Sequence, residues 1–198
     1  IQVFASLESP KEITYSETGE RMEVSTPAGT TTTITLSDGT EVLLSANSRL
    51  EYSKSFSADK REVKLVGEAR FNVAKDAERP FIVHTRQLQT QVLGTVFDVK
   101  AYPQTPADVT LYEGKVEVSL NGDAPQLMQP GEQAFLDKEG KLQLAKASEE
   151  TGKWAEGEFA FDNRDLKSVM QEIGSWYNIS VVFRCFNYLF NYNSLLII

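Results

Sequence analysis

The sequence is nearly devoid of the residues that form disulfides and bind soft metal ions. Its 198 residues include one cysteine, Cys185, and one histidine, His84. A single cysteine cannot form an intramolecular disulfide, and His84 has no Cys, Asp or Glu at the spacing of metal ligands. The sequence therefore predicts a fold that depends on neither a disulfide framework nor a zinc centre.

Excess positive charge and long apolar runs are also missing. Lys and Arg number 20 against 28 Asp and Glu, a formal net charge of −8. Nucleic-acid binding depends on clustered Lys and Arg, so nucleic acid is not a predicted partner. No apolar run reaches the roughly 18 residues of a membrane-spanning helix, and the opening residues IQVF do not resemble a signal peptide. The chain is interpreted as a mature protein or as a soluble piece of a longer one.

Catalytic signatures are absent as well. The sequence has no G-x-S-x-G, no H-E-x-x-H and no phosphate-binding loop, so it predicts no catalytic residue and no cofactor. Glu68 is the one tempting acid, but Lys64 and Arg70 beside it favour a charge-paired position on the outer face of a strand. Asp38 is assigned to a turn and Glu41 to a solvated strand position.

What the sequence does have is alternation. From Met22 to Leu136, short runs of β-branched and aromatic residues alternate with polar ones, separated by Gly, Pro, Asp and Asn. This pattern is typical of an all-β sandwich or barrel-like domain. A jelly-roll-like sandwich and a solenoid-like winding share the alternation, so both remain open.

The segment TITLSDGTEVLL carries the clearest hairpin signal, an Asp-Gly pair between two alternating runs. A two-residue loop at Asp38–Gly39 would place Leu36 opposite Glu41. A three-residue loop at 37–39, with Gly39 in the left-handed region, places Ile34 opposite Val42 and keeps the apolar faces together. The second register is the predicted one.

The stretch KLVGEARFNV raises the question of whether Gly67 and Glu68 form a turn. Alternation continues through Gly67, with Leu65 and Ala69 on the same face, which predicts one long strand over 62–73. Gly67 is then a narrow position on the core face, where another backbone or a bulky side chain comes close, and a bend is expected there. Glu68 is expected on the outer face.

Two later segments are less regular. In residues 88–102 the apolar face changes near Gly94, which indicates either burial of both faces or a bulge at that glycine. The stretch VTLYEGKVEVSL, with Gly114 at its centre, predicts a strand pair, and Pro130–Gly131 predicts a turn.

The pattern changes towards the C-terminus. Residues 145–153 have the composition of a linker, and a helical periodicity runs from Leu166 to Tyr177, capped by Asp162 or Asn163. A strand follows at 179–183, giving a small β-α-β module. The predicted fold is mainly β, divided into an N-terminal extension (1–21), an all-β domain (22–144), the linker and a partial α+β module (154–198).

Seven motifs occur in order across residues 22–136: LSDGTEVLL, NSRL, KREVKLVGEARFNVAKD, ERPFIVHT, VLGTVFDVKAY, LYEGKVEV and LMQPGEQA. This series resembles the periplasmic domain of FecR-type anti-sigma regulators. The segment WAEGEFAFDNRDLKSVMQEIGSWYNISVVF resembles the first half of the C-terminal module of Bacteroidetes-type members, related to the secretin and TonB short N-terminal domain. The motif positions taken as framework residues are Asp38, Gly39, Gly67, Glu68, Pro80, Phe81, Gly94, Thr95, Gly114 and Gly131.

The resemblance implies a signalling role without catalysis. In such regulators a periplasmic part senses the signalling domain of a TonB-dependent outer-membrane transporter, and a cytoplasmic segment, linked by one membrane helix, holds an extracytoplasmic-function sigma factor. This chain would be the periplasmic part alone, without that helix and segment. Its exposed strand, with Ile179, Val181, Val182 and Phe183, is the predicted site for a partner strand.

The tail RCFNYLFNYNSLLII departs from the family, which indicates a truncated module with an out-of-frame end. An incomplete module would expose a sheet edge and permit a domain-swapped homodimer. A different interpretation is a glycan-binding β-sandwich or remnant glycosidase, suggested by paired acids and by four aromatic residues. The four aromatic residues are Tyr102, Tyr112, Trp154 and Trp176. For Trp176 and Tyr177, at the end of the predicted helix, core packing is favoured over ligand binding.

Overall fold

The computed structural model describes residues 2–3, 12–103, 105–120, 123–148, 151–159, 166–177 and 181–182. Within them the chain is almost entirely β, as predicted. The first strands are β1 (Gln2–Val3), β2 (Thr14–Thr18), β3 (Arg21–Ser25), β4 (Thr32–Thr35), β5 (Glu41–Leu44), β6 (Arg49–Ser53), β7 (Arg61–Asn72) and β8 (Phe81–His84). The later strands are β9 (Leu88–Val92), β10 (Val96–Ala101), β11 (Asp108–Glu113), β12 (Val116–Leu120), β13 (Gln126–Met128), β14 (Glu132–Leu136), β15 (Leu142–Lys146) and β16 (Val181–Val182). A 3-10 turn (Lys153–Glu156) and helix α1 (Leu166–Tyr177) lie between β15 and β16.

Strands β2 to β15 form two sheets that share β7. The first sheet has the order β2-β3-β6-β7-β8-β9-β12-β13, and the second has the order β4-β5-β7-β10-β11-β14-β15. The N-terminal part of β7 pairs with β6 and β8, whereas its C-terminal part pairs with β5 and β10. Among the strand pairs of the described residues, only β7 with β8 is parallel. One strand therefore belongs to both sheets.

The apolar faces of the two sheets pack into a single core. The first sheet contributes buried residues such as Leu50 and Val118, and the second contributes residues such as Val42 and Leu111. Phe71, on the shared strand, stacks on Phe97 at a ring-centroid distance of 5.2 Å. Burial of side chains from both inner faces is the arrangement of a β-sandwich, so the predicted mainly β fold is confirmed.

The hairpin of β4 and β5 has the predicted register. Ile34 lies opposite Val42, and the N–H of Leu36 donates to the carbonyl of Thr40 at 2.8 Å. The loop is therefore 37–39, and Gly39 has a φ of 85°. Glycine adopts this left-handed conformation without a steric penalty.

Strand β7 runs through Gly67 without a reversal, which confirms the single-strand prediction. A Cβ atom on Gly67 would lie 2.6 Å from the Cα of Ser48, so another backbone does pack against this position. Its φ of 102° also marks the point where β7 leaves one sheet for the other. Positive φ and close approach together explain the glycine.

The outer-face position expected for Glu68 is wrong, because Glu68 is only 9% exposed. The loop between β5 and β6 covers it: the N–H of Glu68 donates to Ser48 Oγ and its carbonyl accepts from the N–H of Ser45, both at 2.9 Å. The flanking cations have partners elsewhere, Lys64 with Glu51 and Arg70 with Asp98.

Residues 88–102 form two strands rather than one. Strand β9 belongs to the first sheet and β10 to the second, so the chain crosses between sheets at 93–95. The change of apolar face accompanies this crossing. Phe97, Asp98 and Val99 are all buried, so both faces of β10 are covered, and the register of β10 against β11 shifts between Val96 and Phe97. The expected strand pair around Gly114 is also wrong, because β11 pairs in the second sheet and β12 in the first. The turn at Pro130–Gly131 is confirmed, since Glu132 N–H donates to the carbonyl of Gln129 at 3.1 Å.

The C-terminal part contains the predicted helix, observed at Leu166–Tyr177. Strand β15 continues to Lys146, inside the segment predicted as a linker. The predicted cap residues Asp162 and Asn163 lie outside the described residues. No described helix is long and apolar enough to cross a membrane. The domain limits and the swapped dimer stay predictions.

Candidate functional site at the junction and the C-terminal strand

The junction between the β-sandwich and the C-terminal part is built around a buried carboxylate. Asp98 on β10 lies opposite Arg70 on β7. The guanidinium of Arg70 donates from Nε to Oδ1 at 2.8 Å and from Nη2 to Oδ2 at 3.0 Å. The hydroxyl of Tyr112, on β11, donates to Oδ2 at 2.8 Å. Paired donors in this geometry fix the carboxylate in position as well as neutralising it.

The segment after β15 docks onto this carboxylate. Trp154 donates its indole N–H to Asp98 Oδ2 at 3.2 Å, and the carbonyl of Gly152 accepts from Arg70 Nη2 at 2.9 Å. The guanidinium also lies over the rings of Tyr112 and Trp154, at 4.7 Å and 6.0 Å from their centroids. We call Arg70, Asp98, Tyr112, Gly152 and Trp154 the junction cluster. It joins the predicted linker to both central strands of the second sheet.

Gly152 is required for this contact. Its φ is 88°, and a Cβ atom there would lie 2.0 Å from the hydroxyl oxygen of Tyr112. Any other residue would strain the backbone and displace the ends of the Tyr112 and Arg70 side chains from their positions in the cluster.

Electrostatics at the junction cluster follow from burial. Burial raises the pKa of the Asp98 carboxyl, and the hydrogen bonds and charge of Arg70 oppose that rise. Burial opposes ionisation of Arg70, yet the Asp98 carboxylate raises the pKa of the guanidinium. The raised pKa of Asp98 disfavours its charged form, whereas the raised pKa of Arg70 favours its charged form. Because several donors converge on Asp98, we assign Asp98 as the ionised carboxylate. Burial, followed by the charge of Asp98, raises the pKa of Tyr112, so the phenol keeps the proton that it donates.

The C-terminal helix contacts the sandwich at a second place. Its Trp176 carbonyl accepts from the N–H of Gly29, in the loop between β3 and β4, at 2.7 Å. The Trp176 ring packs edge-on against Phe159, with centroids 5.5 Å apart. Beyond the helix, β16 pairs antiparallel with β1, placing Val182 opposite Gln2 and Val181 opposite Val3. One edge of the predicted partner strand is thus occupied by the N-terminal strand.

The described architecture matches known proteins. The model of the family "FecR protein" matches residues 22–117. Two solved structures of a "putative anti-sigma factor" from Parabacteroides distasonis ATCC 8503, at 2.50 Å and 1.65 Å resolution, are each 34% identical in sequence. They align over 80% and 79% of this chain and 75% and 74% of theirs, with TM-scores of 0.74 and 0.73.

The chain belongs to the FecR family. This is a family of regulatory proteins rather than enzymes, in agreement with the absence of catalytic motifs. No curated protein matches the sequence.

The framework residues predicted from the motifs are spread through the FecR domain and do not form one site. Thr95 Oγ1 donates to the carbonyl of Lys115 at 3.0 Å, which joins two sheet crossings. Pro80 accepts the N–H of Arg61 at 2.9 Å, and Phe81 is buried in the core. Gly94, Gly114 and Gly131 each lie where the chain passes from one sheet to the other. Their common role is to let the chain change sheets.

Asp38 does more than terminate a hairpin. Its carboxylate accepts from the N–H of Thr40 at 3.0 Å, as a turn residue does, but it also accepts from Arg61 Nη1 at 2.7 Å. The side chains of Arg61 and Asp38 are 0% and 5% exposed. Sequence reasoning missed this buried ion pair because its partners are far apart along the chain.

The aromatic residues considered for sugar stacking pack inside the protein or at its junction. Tyr102 donates its hydroxyl to the carbonyl of Ala46 at 2.8 Å, Tyr112 and Trp154 belong to the junction cluster, and Trp176 packs on Phe159. Within the part of the chain that the structure describes, no group of three His, Cys, Asp or Glu residues could hold a metal ion. His84 instead lies 3.1 Å from Glu62 Oε1, measured from Nε2.

Of the four predicted partner-binding residues, the structure places Val181 and Val182 in β16, whereas Ile179 and Phe183 lie outside the described residues. Sequence reasoning overlooked Arg70 and Asp98. The available signal was a charged residue at the centre of each of two strands whose neighbours are mainly apolar, since such residues are rarely buried unless paired.

Proposed function

We propose that this chain is the periplasmic sensor portion of a transmembrane anti-sigma regulator. It would receive a signal from the N-terminal signalling domain of a TonB-dependent outer-membrane transporter and control an extracytoplasmic-function sigma factor. The observation that carries the proposal is the FecR match, together with the similarity to two solved structures of an anti-sigma factor. The inner-membrane helix and the cytoplasmic segment that binds the sigma factor would lie outside this sequence.

The C-terminal strand offers a physical route for partner binding. A strand can accept a partner strand through main-chain hydrogen bonds, which supply affinity. Strand β16 already pairs with β1 along one edge. A strand from the signalling domain would therefore add to the opposite edge, extending the pairing of Val181 and Val182, or replace Gln2–Val3.

The junction cluster supports a relay from that strand to the sandwich. The segment 152–154 is held by Arg70 and Asp98, which lie on the central strands β7 and β10. A buried, hydrogen-bonded network of this kind has a defined geometry. Leaving any of its polar groups without a partner costs free energy. Movement of the C-terminal part would therefore alter the contacts of Arg70 and Asp98 in the second sheet.

Replacing Val182 with proline tests the strand route. Proline removes a main-chain donor and restricts the backbone, so binding to the signalling domain of the transporter encoded beside this protein is expected to weaken about tenfold or more. Isothermal titration of the purified chain measures the effect. Val182→Ala, which keeps the N–H group, is the matched control, and Glu68→Gln is expected to leave affinity unchanged.

Two results would count against this proposal. Absence of binding by the unaltered chain would remove the transporter as partner. A larger loss for Glu68→Gln than for Val182→Pro would move the binding surface away from the strand. Circular dichroism of each variant establishes that the fold is retained before the affinities are compared.

A further inference from the structure

A second surface of the FecR domain has the properties of a binding site and lies apart from the C-terminal strand. The crossings from β9 to β10 and from β11 to β12 lie side by side and enclose a groove of about 540 Å³. This volume is within the range of about 300–1,000 Å³ that ligand sites occupy. We call it the crossing groove, and its defining residues are Lys75, Leu93, Gly94, Gly114, Lys115 and Leu127.

Two glycines in the lining of the crossing groove are required by the packing. A Cβ atom on Gly114 would lie 2.8 Å from Thr95 Oγ1 and 3.1 Å from the carbonyl oxygen of Gly94. A Cβ atom on Gly94 would lie 2.8 Å from the Cα of Lys75. These contacts bring three chain segments together beside the groove.

Two leucines expose large apolar surfaces within this small space. Leu93 is 49% exposed and Leu127 is 50% exposed. Leu127 lies opposite Glu117, which lies opposite Gln91, so one row of side chains crosses the outer face of the first sheet into the groove. A single exposed leucine is unremarkable, but two that line one concavity indicate a surface that a partner covers.

Four charged residues line the crossing groove, Lys75, Asp76, Lys115 and Glu117, and Arg79 neutralises Asp76, which leaves two ammonium groups against one carboxylate. Asp76 is held by Arg79, with Nε to Oδ2 at 2.8 Å, and also accepts the Arg79 N–H at 3.1 Å. Glu117 accepts a long hydrogen bond of 3.5 Å from Gln91. By contrast, among the residues that the structure describes, neither Lys75 nor Lys115 forms an ion pair. In a chain with a formal net charge of −8, two uncommitted ammonium groups beside exposed leucines are a distinct chemical feature.

We propose that the crossing groove binds an extended acidic peptide segment of a partner protein. Apolar side chains of the peptide pack on Leu93 and Leu127, and its carboxylates pair with Lys75 and Lys115. An anionic membrane surface is the poorer fit, because the groove is concave and a flat array of phosphates cannot follow it. The inference goes beyond the proposed function and uses none of its residues.

Selection from a phage-displayed library of random peptides on the immobilised full chain identifies the ligand class. Sequences in which Asp or Glu flank Leu, Val or Phe are expected to be enriched. Fluorescence anisotropy with an enriched peptide then gives affinities. Lys75→Glu combined with Lys115→Glu is expected to weaken binding about tenfold or more, and Leu127→Ser about tenfold.

The controls make each outcome decisive. Lys138→Glu with Lys141→Glu changes the net charge equally at the exposed β14–β15 turn and is expected to leave binding unchanged. A peptide whose acidic residues are replaced by Lys should bind the Lys75→Glu, Lys115→Glu variant better than the unaltered chain. Failure to enrich acidic apolar sequences, equal binding by the charge-reversed variant, or binding of phosphatidylglycerol vesicles without binding of the peptide would each overturn the proposal. Val182→Pro leaves this binding intact, so the two proposals fail separately.

Discussion

Replacing Asp38 with alanine is expected to lower the free energy of unfolding by about 3–5 kcal/mol, because it leaves the guanidinium of Arg61 buried without its counter-ion. The two side chains are 5% and 0% exposed, and Nη1 lies 2.7 Å from Oδ2. The ion pair joins the β4–β5 hairpin of the second sheet to the start of the shared strand. Urea unfolding monitored by tryptophan fluorescence measures the loss.

Two comparisons isolate the cause. Glu23→Ala breaks the exposed pair with Arg49, whose atoms are 3.7 Å apart, and is expected to cost less than about 1 kcal/mol. Adding Arg61→Met to Asp38→Ala should recover much of the stability, since Arg61 Nη2 has no hydrogen-bond partner among the described residues and an apolar side chain removes the stranded charge. A loss for Asp38→Ala no larger than that for Glu23→Ala would contradict the assignment.

Replacing Gly67 with alanine is expected to destabilise the protein by about 2–5 kcal/mol, the sum of an unfavourable φ and a steric overlap. The φ of Gly67 is 102°, and the added Cβ would lie 2.6 Å from both Cα and Cβ of Ser48. The β5–β6 loop cannot retreat without giving up its hydrogen bonds to Glu68. Thermal and urea unfolding both report the change.

Gly131→Ala is the matched control for this substitution. Gly131 has a φ of 85°, but nothing lies within 4 Å of its added Cβ. It therefore carries the conformational penalty alone, about 1–2 kcal/mol. If Gly67→Ala and Gly131→Ala cost the same, the close approach of Ser48 does not determine the glycine.

Local features of this fold could be predicted from the sequence because they depend on neighbours along the chain. The loop at Gly39 follows from keeping Ile34 opposite Val42, and helix α1 follows from the spacing of Leu166 to Tyr177. The unbroken strand through Gly67 follows from the parity of its core residues. Each of these is fixed by the period of side chains in a strand or helix.

Pairing between distant segments could not be predicted in this way. Alternation identifies the buried face of β9 or β10 but not the sheet to which each belongs, so the crossing at Gly94 resembled a bulge. Glu68 is covered by residues 45–48, about twenty positions earlier in the chain. Periodicity within β7 contains no information about that cover.

The junction cluster was missed for the same reason. Gly152 lies within the segment 145–153, whose composition is that of a linker, and Trp154 follows it directly, while their partners Arg70 and Asp98 are far away in sequence. A linker composition describes what the chain can do in isolation. Here Arg70 and Asp98 provide a docking point that orders the segment.

Binding of the partner at the C-terminal strand is expected to be transmitted to the FecR domain through the junction cluster. Amide hydrogen exchange of residues 151–157, with and without saturating transporter signalling domain, tests it most directly. Exchange of these amides is expected to change on binding in the unaltered chain. In Trp154→Phe, which loses the hydrogen bond to Asp98, that change is expected to disappear while affinity is retained, and Trp176→Phe is the control. Binding at full affinity with unchanged exchange across 151–157 in the unaltered chain would contradict the relay.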